Sequence, residues 1–342
     1  MITPNECKLI VIECVRHLLK IVGPDGEYIY SHKLNAIHDT LPGYNILRHC
    51  GTTWFVCKAI SDLGLDLTAT ELHCLEKTIT FITQRLVVPG WNEGMFSRLC
   101  LPERGFAKLG ANGLALLMLH EYSNLRQRRI EHFAAMGGLD LLIARLQNYI
   151  LSQASNGDFI HKRHVVSGAI APFRSNYYTG EALFGLLRGR RLTPEVSEIF
   201  QMLMKTGYGI EMQSHWMCYA ACEALESRKI NPALLRDYIT QLVGAIVKQS
   251  RYRDRRQSTE IACRTEALTR FLLLHGNGKL TAFAFEADLV KSARRAAADN
   301  LLMQLEWYSN GQFHKGDGDF SVQIDYIQHN AMSALQWSMI AE

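Results

Sequence analysis

Two kinds of helical pattern alternate along the chain. In the first kind, apolar residues recur every three or four positions while charged residues take the opposite face, which is typical of a helix at the protein surface. This pattern predicts amphipathic helices at residues 5–22, 68–88, 135–152, 193–205, 231–249 and 281–305. Two of their starts carry a capping side chain directly before a proline, at Thr193–Pro194 and Asn231–Pro232.

The second kind of segment is apolar on nearly all sides and rich in Ala, Gly and Leu. It occurs at residues 44–60, 110–122, 177–189, 214–226, 264–275 and 329–340. Because a helix that is apolar all round is buried all round, we expect these segments to lie inside the amphipathic ones. The alternation therefore predicts an all-α fold of two concentric rings, an (α/α)6 toroid in which residues 1–342 form a single domain. An open solenoid of helical pairs is the alternative.

Three short motifs punctuate the helices. Asp25–Gly26, Asn156–Gly157 and Asn310–Gly311 each precede a polar residue and then an aromatic one. Such dipeptides favour the tight turns of β-hairpins. We therefore expect short β-hairpins or loops at one rim of the barrel.

The alternation covers nearly the whole chain and resembles that of known (α/α)6 toroids. These include six-hairpin glycosidases, sugar 2-epimerases, and the terpene cyclases and prenyltransferases. The sugar 2-epimerases use an arginine from an early inner helix and histidines from later ones, and Arg48, His215 and His329 stand in comparable places. The chain departs from their His-x-x-Glu pattern, because Cys218 follows His215 at that spacing.

The buried helices of such a ring all point the same way, so their N-terminal ends meet at one mouth. These ends carry free N–H groups and the positive end of the helix dipole. Polar and aromatic groups of this chain are concentrated there, which predicts a pocket. We expect catalytic groups among Glu181, His215, Glu266, Asp325 and His329, and substrate-binding groups among Tyr44, Arg48, His49, Asn112, Tyr178, Trp216, Arg264 and Tyr326.

Structural roles compete with these functional ones. Tyr44 and Tyr178 could be core aromatics, Arg48 and Glu181 could form a structural ion pair, and a single histidine is often a core or capping residue. Glycosidase chemistry would need two opposed carboxylates, for which Glu181 with Glu266 or Asp325 is the candidate pair.

A metal site and a nucleotide cofactor are not expected. His215, Cys218 and Cys222 have helical spacing, and zinc prenyltransferases use Asp, Cys and His ligands, but the chain has no Cys-x-x-Cys pair. It also lacks the glycine-rich phosphate-binding motifs of nucleotide-binding proteins. The expected cofactor is therefore none.

Composition narrows the classes of partner. The net charge is +4, from 37 Lys and Arg against 33 Asp and Glu, which is too small to indicate nucleic acid binding. No apolar run is long enough to span a membrane, and the first residues lack a secretory pattern. The nine cysteines have no regular spacing, which is typical of reduced thiols in the cytoplasm.

Aromatic rings, arginines, histidines and carboxylates at one mouth suit a hydroxyl-rich anionic ligand. We therefore expect an enzyme acting on a sugar or uronate-like small molecule or oligosaccharide by acid/base chemistry, as a hydrolase, lyase or epimerase. A toroid that binds a ligand or a protein partner without turnover is the second hypothesis. A zinc- or isoprenoid-dependent transferase or cyclase is the third.

Overall fold

The computed structural model of the protein describes residues 2–91, 98–128, 133–134, 136–227, 230–276 and 285–340. These residues include twelve α-helices. They are α1 (Pro4–Lys20), α2 (Ile46–Leu63), α3 (Ala69–Thr83), α4 (Leu109–Ser123), α5 (Leu139–Leu151), α6 (Tyr178–Arg188), α7 (Pro194–Lys205), α8 (His215–Ser227), α9 (Pro232–Lys248), α10 (Ser258–Gly276), α11 (Ala287–Leu305) and α12 (Ile324–Trp337).

The β-structure within the described ranges consists of strands of two to five residues. They are β1 (Ser31–Lys33), β2 (Ala36–Thr40), β3 (Pro102–Glu103), β4 (Phe106–Lys108), β5 (Ala154–Ser155), β6 (Asp158–Phe159), β7 (Lys162–His164), β8 (Tyr308–Ser309), β9 (Gln312–Gly316) and β10 (Asp319–Gln323). They form sheets in the orders β2-β1-β10-β9-β8, β3-β4-β7 and β5-β6.

Every segment with a predicted helical pattern contains one of these helices. The expected caps are present: the Thr193 hydroxyl accepts a hydrogen bond from Val196 N at 3.3 Å, and the Asn231 side chain accepts one from Ala233 N at 3.0 Å. Two helix starts differ most from the prediction. Helix α10 begins at Ser258 rather than at residue 264, and α11 begins at Ala287 rather than at residue 281. Residues 281–284 of the sixth amphipathic segment lie outside the described part of the chain.

The chain divides into two compact units. One, here called the terminal unit, comprises residues 1–21, 28–44 and 204–342. The other, here called the central unit, comprises residues 22–27 and 45–203. The expectation of one domain over residues 1–342 stays a prediction.

Three helices that are buried on most of their faces form the core of the terminal unit. Helix α10 packs between α8 and α12, and α1 packs against α12, so the first and last helices of the chain are in contact. Helices α9 and α11 cover α8 and α10. The predicted turn at Asn310–Gly311 joins β8 to β9, with φ angles of 48° and 76° that suit Asn-Gly.

Helix α4 is the centre of the central unit and packs against both α2 and α6. Two glycines let α4 and α6 approach closely. A Cβ atom at Gly113 would lie 2.7 Å from the carbonyl oxygen of Glu181, and one at Gly185 would lie 2.8 Å from the carbonyl oxygen of Gly113. The predicted turn at Asn156–Gly157 joins β5 to β6, with φ angles of 45° and 78°.

None of the helices among the described residues is both long enough and apolar enough to cross a bilayer.

Candidate functional site

The three core helices of the terminal unit bring two histidines and a carboxylate together. His215 is the first residue of α8, Glu266 lies in α10 and His329 lies in α12. The Nδ1 atom of His329 is 2.6 Å from Oε1 of Glu266. The imidazole rings of His215 and His329 meet edge to face, with centroids 5.2 Å apart. Three of the five expected catalytic residues therefore form one cluster, although up to 114 positions (329 − 215) separate them.

Glu266 is held on both of its oxygens. Its side chain is fully buried, and its second oxygen, Oε2, accepts a hydrogen bond of 2.7 Å from the Tyr219 hydroxyl. That hydroxyl in turn accepts a 2.6 Å bond from the Gln336 amide. A buried carboxylate is costly unless it is paired and hydrogen-bonded, and these contacts meet both conditions.

The two histidines have opposite electrostatic surroundings. Burial, His329 and Arg264 together hold the pKa of His215 well below its usual value. Burial also disfavours charge on His329, but the adjacent Cys263 and Glu266 outweigh it and raise the pKa of His329 well above its usual value. At neutral pH, the site therefore contains a neutral imidazole next to a protonated one.

Trp216 supplies an aromatic face beside both histidines. Its ring centroid lies 4.8 Å from that of His215 and 6.3 Å from that of His329. The side chain of His329 is 12% exposed, whereas His215 and Trp216 are buried. A ligand would therefore meet the cluster from the His329 side, while the buried Trp216 ring packs against the two imidazoles.

Arg264 lies one residue from Cys263 and is half-buried at the edge of this cluster. Its guanidinium donates to the Gln213 side chain at 3.1 Å, to Glu260 O at 3.3 Å and to Met212 O at 3.4 Å. Gln213 in turn donates to the carbonyl oxygens at the end of α9. These contacts fix the guanidinium between the start of α10 and the loop before α8.

Three other expected residues of the terminal unit lie at the start of α12 or before α2. Asp325 is buried in the first turn of α12, and Tyr326 is half-buried beside it. Tyr44 is half-buried and packs on Tyr30, with ring centroids 5.5 Å apart. Their participation in catalysis or binding stays a prediction.

Four side chains of the terminal unit could share a metal ion. His215, Cys263, Glu266 and His329 each offer one donor atom, and these atoms lie within 4.8 Å of one another. Donors of a tetrahedral zinc site are about 3.3–3.8 Å apart, so binding would require a modest contraction and the loss of the proton between Glu266 and His329. Cys218 takes another role, because its thiol donates to Ala267 O at 3.5 Å.

The expected groups of α6 lie in the central unit. Glu181 is 3% exposed, and its Oε2 atom would lie 1.9 Å from a Cβ atom at position 110, so Gly110 leaves the space that this carboxylate occupies. Burial, with Glu181 and Glu103 nearby, raises the pKa of Tyr178. A phenol and two carboxylates therefore lie close together at the start of α6.

A hydrogen-bond network fixes the polar segment that precedes α6. His161 accepts from Ser175 N on Nδ1 at 2.9 Å, which leaves Nε2–H to donate to the Thr179 hydroxyl at 3.0 Å. That hydroxyl donates to Asp158 at 3.1 Å, and Arg174 forms an ion pair with the same carboxylate. The hydrogen-bonding groups at the start of this buried helix therefore hold the chain that enters it.

Arg48, His49 and Asn112 complete the expected set in the central unit. Arg48 is half-buried in the first turn of α2. His49 is fully buried, stacks on Phe81 at 4.9 Å and bonds to Thr78 O through Nε2 at 3.0 Å. Asn112 is also fully buried, and its side chain bonds to both backbone groups of Leu101. These contacts tie His49 to α3 and Asn112 to the segment before β3.

Sequence reasoning missed Tyr219, Cys263 and Gln336 as members of the site. Tyr219 lies four residues after His215, Cys263 lies three before Glu266, and Gln336 lies seven after His329. Each of these spacings places the two residues on the same face of a helix. Other residues on the same faces share these spacings, so the sequence alone does not single out Tyr219, Cys263 and Gln336.

Comparison with solved structures shows the same fold in several proteins. A D-mannose isomerase matches with a TM-score of 0.64 and 10% identity over 98% of this chain and 98% of that chain. A family 76 glycoside hydrolase from a bovine Bacteroides thetaiotaomicron strain matches with 0.63 and 11% identity over 99% and 78%. The Lin0763 protein from Listeria innocua matches with 0.59 and 11% identity over 97% and 96%.

These structures are six-hairpin folds, so the all-α (α/α)6 fold class predicted from the sequence is confirmed. No known protein family matches the sequence, and no curated protein matches it either. Sequence identities of 10–11% show the fold and leave the reaction to be argued from the side chains.

Proposed function

We propose that the protein is a sugar isomerase or epimerase that moves a proton at the carbon next to a carbonyl group. The observation that carries this proposal is the pair of imidazoles 5.2 Å apart, one of which is ion-paired to Glu266 at 2.6 Å. Such a pair provides a base and an acid at the same time, which is what proton abstraction beside a carbonyl requires.

The roles follow from the surroundings of each ring. His215 is neutral and takes the proton from C2 of an open-chain aldose, so that the electrons of the C–H bond form the enediol. Protonated His329 gives its proton to the carbonyl oxygen at C1. His215 then returns its proton to C1, and His329 regains one from the 2-hydroxyl, which yields the ketose. If the enediol instead turns about its C2–C3 bond, His215 returns its proton to the opposite face of C2 while His329 takes back the proton on O1, which gives the 2-epimer.

Glu266 acts on the reaction through His329. Its bond to Nδ1 fixes the ring and stabilises the imidazolium, which leaves the other nitrogen, Nε2, available to exchange protons. The solved structures with the same fold include a D-mannose isomerase aligned over 98% of both chains, which makes D-mannose a reasonable first substrate to test. The nine cysteines are all free thiols, which supports a reducing, cytoplasmic location.

Deuterium exchange tests the proposal directly. The protein is incubated with D-mannose and other aldoses in D2O, and deuterium at C1 and C2 is followed by NMR. We expect exchange with the wild type and a loss of about 10²- to 10⁴-fold in His215→Asn or His329→Asn. His73→Asn, on the exposed face of α3, is the matched control and should retain the activity.

The same experiment separates the other hypotheses. Release of reducing ends from an oligosaccharide without deuterium exchange would favour a hydrolase. Sugar binding with neither exchange nor hydrolysis would favour a toroid that binds a ligand without turnover. Either result would reject the isomerase proposal.

A further inference from the structure

A second feature of the terminal unit is a cavity of ≈ 700 Å³ beside the histidine cluster. It is bounded by the loop before α8, the end of α9, the short 3-10 helix Ser250–Arg253 and the start of α10. Its polar and charged lining consists of Glu211, Gln213, Lys248, Gln249, Ser250, Arg251, Tyr252, Arg255, Glu260 and Arg264. A cavity of this size can hold a monosaccharide or a similar small molecule.

Positive charge predominates in this lining. It contains four cationic side chains and two carboxylates. Arg255 is paired with Glu260 at 2.8 Å. None of the ion pairs found among the described residues involves Lys248, Arg251 or Arg264. Within the described part of the chain, three cations therefore face one cavity with no carboxylate paired to any of them.

Arg264 is the most constrained of these cations. Its three hydrogen bonds all go to neutral acceptors, which orient the guanidinium but leave its charge uncompensated. A guanidinium has five N–H donors, so about two remain for a ligand. The ring of Tyr252, with its centroid 5.6 Å from the guanidinium carbon, supports the group from the other side. The arrangement is that of a preorganised anion-binding side chain.

Arg264 also connects the cavity to the histidine cluster. It follows Cys263 directly, and its partner Gln213 lies two residues before His215. Its charge is one of those that disfavour a proton on His215. The charge of Arg264 therefore reaches His215, one of the groups to which we assign the proton transfer.

We propose that this cavity binds an anionic group of the substrate, a phosphate or a carboxylate carried by the sugar. That the rest of the ligand is a sugar rests on the proposed function. The anion site itself is inferred from Lys248, Arg251 and Arg264. These cations select a charged sugar over its uncharged analogue because their positive charges face one cavity and no carboxylate of the described residues is paired with them.

The variant Lys248→Gln/Arg251→Gln tests the site without touching the histidine cluster, since both residues are exposed. Inorganic phosphate and D-glucuronate are titrated calorimetrically into the wild type and the variant, with D-mannose as the uncharged probe. We expect at least one anion to bind the wild type and to bind the variant about tenfold or more weakly. Arg236→Gln, on α9 and 44% exposed beside Asp237, is the control and should leave anion binding unchanged.

The two anions distinguish the sources, because phosphate alone indicates a sugar phosphate and D-glucuronate alone indicates a uronate. Failure of both to bind the wild type, or equal binding by the wild type and the double variant, would overturn the inference. Anion binding that is weakened in the double variant, together with no deuterium exchange into any aldose, would reject the isomerase and support the anion site. Deuterium exchange into D-mannose, with no binding of phosphate or D-glucuronate that depends on these residues, would support the isomerase and reject the anion site.

Discussion

His329 and Glu266 form a buried ion pair, with Nδ1 of the imidazole 2.6 Å from Oε1 of the carboxylate. The carboxylate has no exposed surface, and its other oxygen accepts a hydrogen bond from Tyr219, so both of its oxygens have partners within the core. The proton on His329 is therefore held by a fixed contact within the core of the terminal unit, and its properties should change when that contact is altered.

The first prediction concerns the pH dependence of turnover. His329 has a raised pKa and His215 a lowered one, so activity should form a plateau that includes neutral pH and falls at both ends. Glu266→Gln removes the carboxylate, which lowers the pKa of His329 and should shift the alkaline limb of kcat/KM to lower pH. Gln336→Ala, which removes only the outer partner of Tyr219, should shift it less. An unchanged alkaline limb in Glu266→Gln would contradict this role.

The second prediction concerns stability in acid. Burial lowers the pKa of His49 to about 3. In the folded state His49 therefore stays neutral at pH values at which the same side chain takes up a proton in the unfolded chain. The free energy of unfolding should therefore fall as the pH drops from about 6.5 toward 3. His49→Leu should reduce that slope by up to about 1.4 kcal/mol per pH unit, although it also removes the bond to Thr78.

Urea unfolding at several pH values measures this slope. His73→Leu is the control, because His73 is exposed on α3. Equal slopes for the wild type and His49→Leu would show that His49 does not contribute to the acid sensitivity.

The third prediction concerns helix spacing in the central unit. Gly113→Ala places a Cβ atom 2.7 Å from the backbone of Glu181, so α4 and α6 must separate, which should destabilise the protein by about 1–3 kcal/mol. Gly244→Ala in α9 places its Cβ atom in open space and should stabilise by about 0.5–1 kcal/mol. Thermal unfolding compares the two variants, and effects of the same sign would refute the packing argument.

The fourth prediction concerns metal content. The hydrogen bond between Glu266 and His329 occupies two of the four potential donors, so we expect the purified protein to contain well under one zinc ion per chain. Elemental analysis checks this. A content near one per chain that is lost in Cys263→Ser and retained in Cys74→Ser would instead establish a zinc site and favour the hypothesis of a zinc-dependent enzyme.

The sequence predicted the buried helices because the amino-acid composition of a helix reflects whether its faces are buried. Helix α8 has small or apolar residues on nearly every face, and α10 and α12 share this property. The same reasoning indicated His215, Glu266 and His329, since a titratable group in such a helix must be paired or used. It could not indicate Cys263 or Gln336, because a thiol or an amide is unremarkable in a buried helix until its neighbours are known.

Other parts could not be predicted because they depend on distances between helices. His49 and Asn112 have the same local pattern as His215, yet their side chains bond to Thr78 and Leu101 in the structure. The cavity beside Arg264 is formed by side chains from four elements, and no single segment of sequence shows it. The expectation that all six helix mouths line one cavity stays a prediction.

The glycine contact between α4 and α6 also limits how the protein can change. The two backbones already touch at Gly113 and Gly185, so no substitution there can bring the helices closer, and every larger residue moves them apart. Such a change would carry Glu181 and Tyr178 with α6 and enlarge the space at its start. Laboratory selection for stability should therefore leave glycine at both positions.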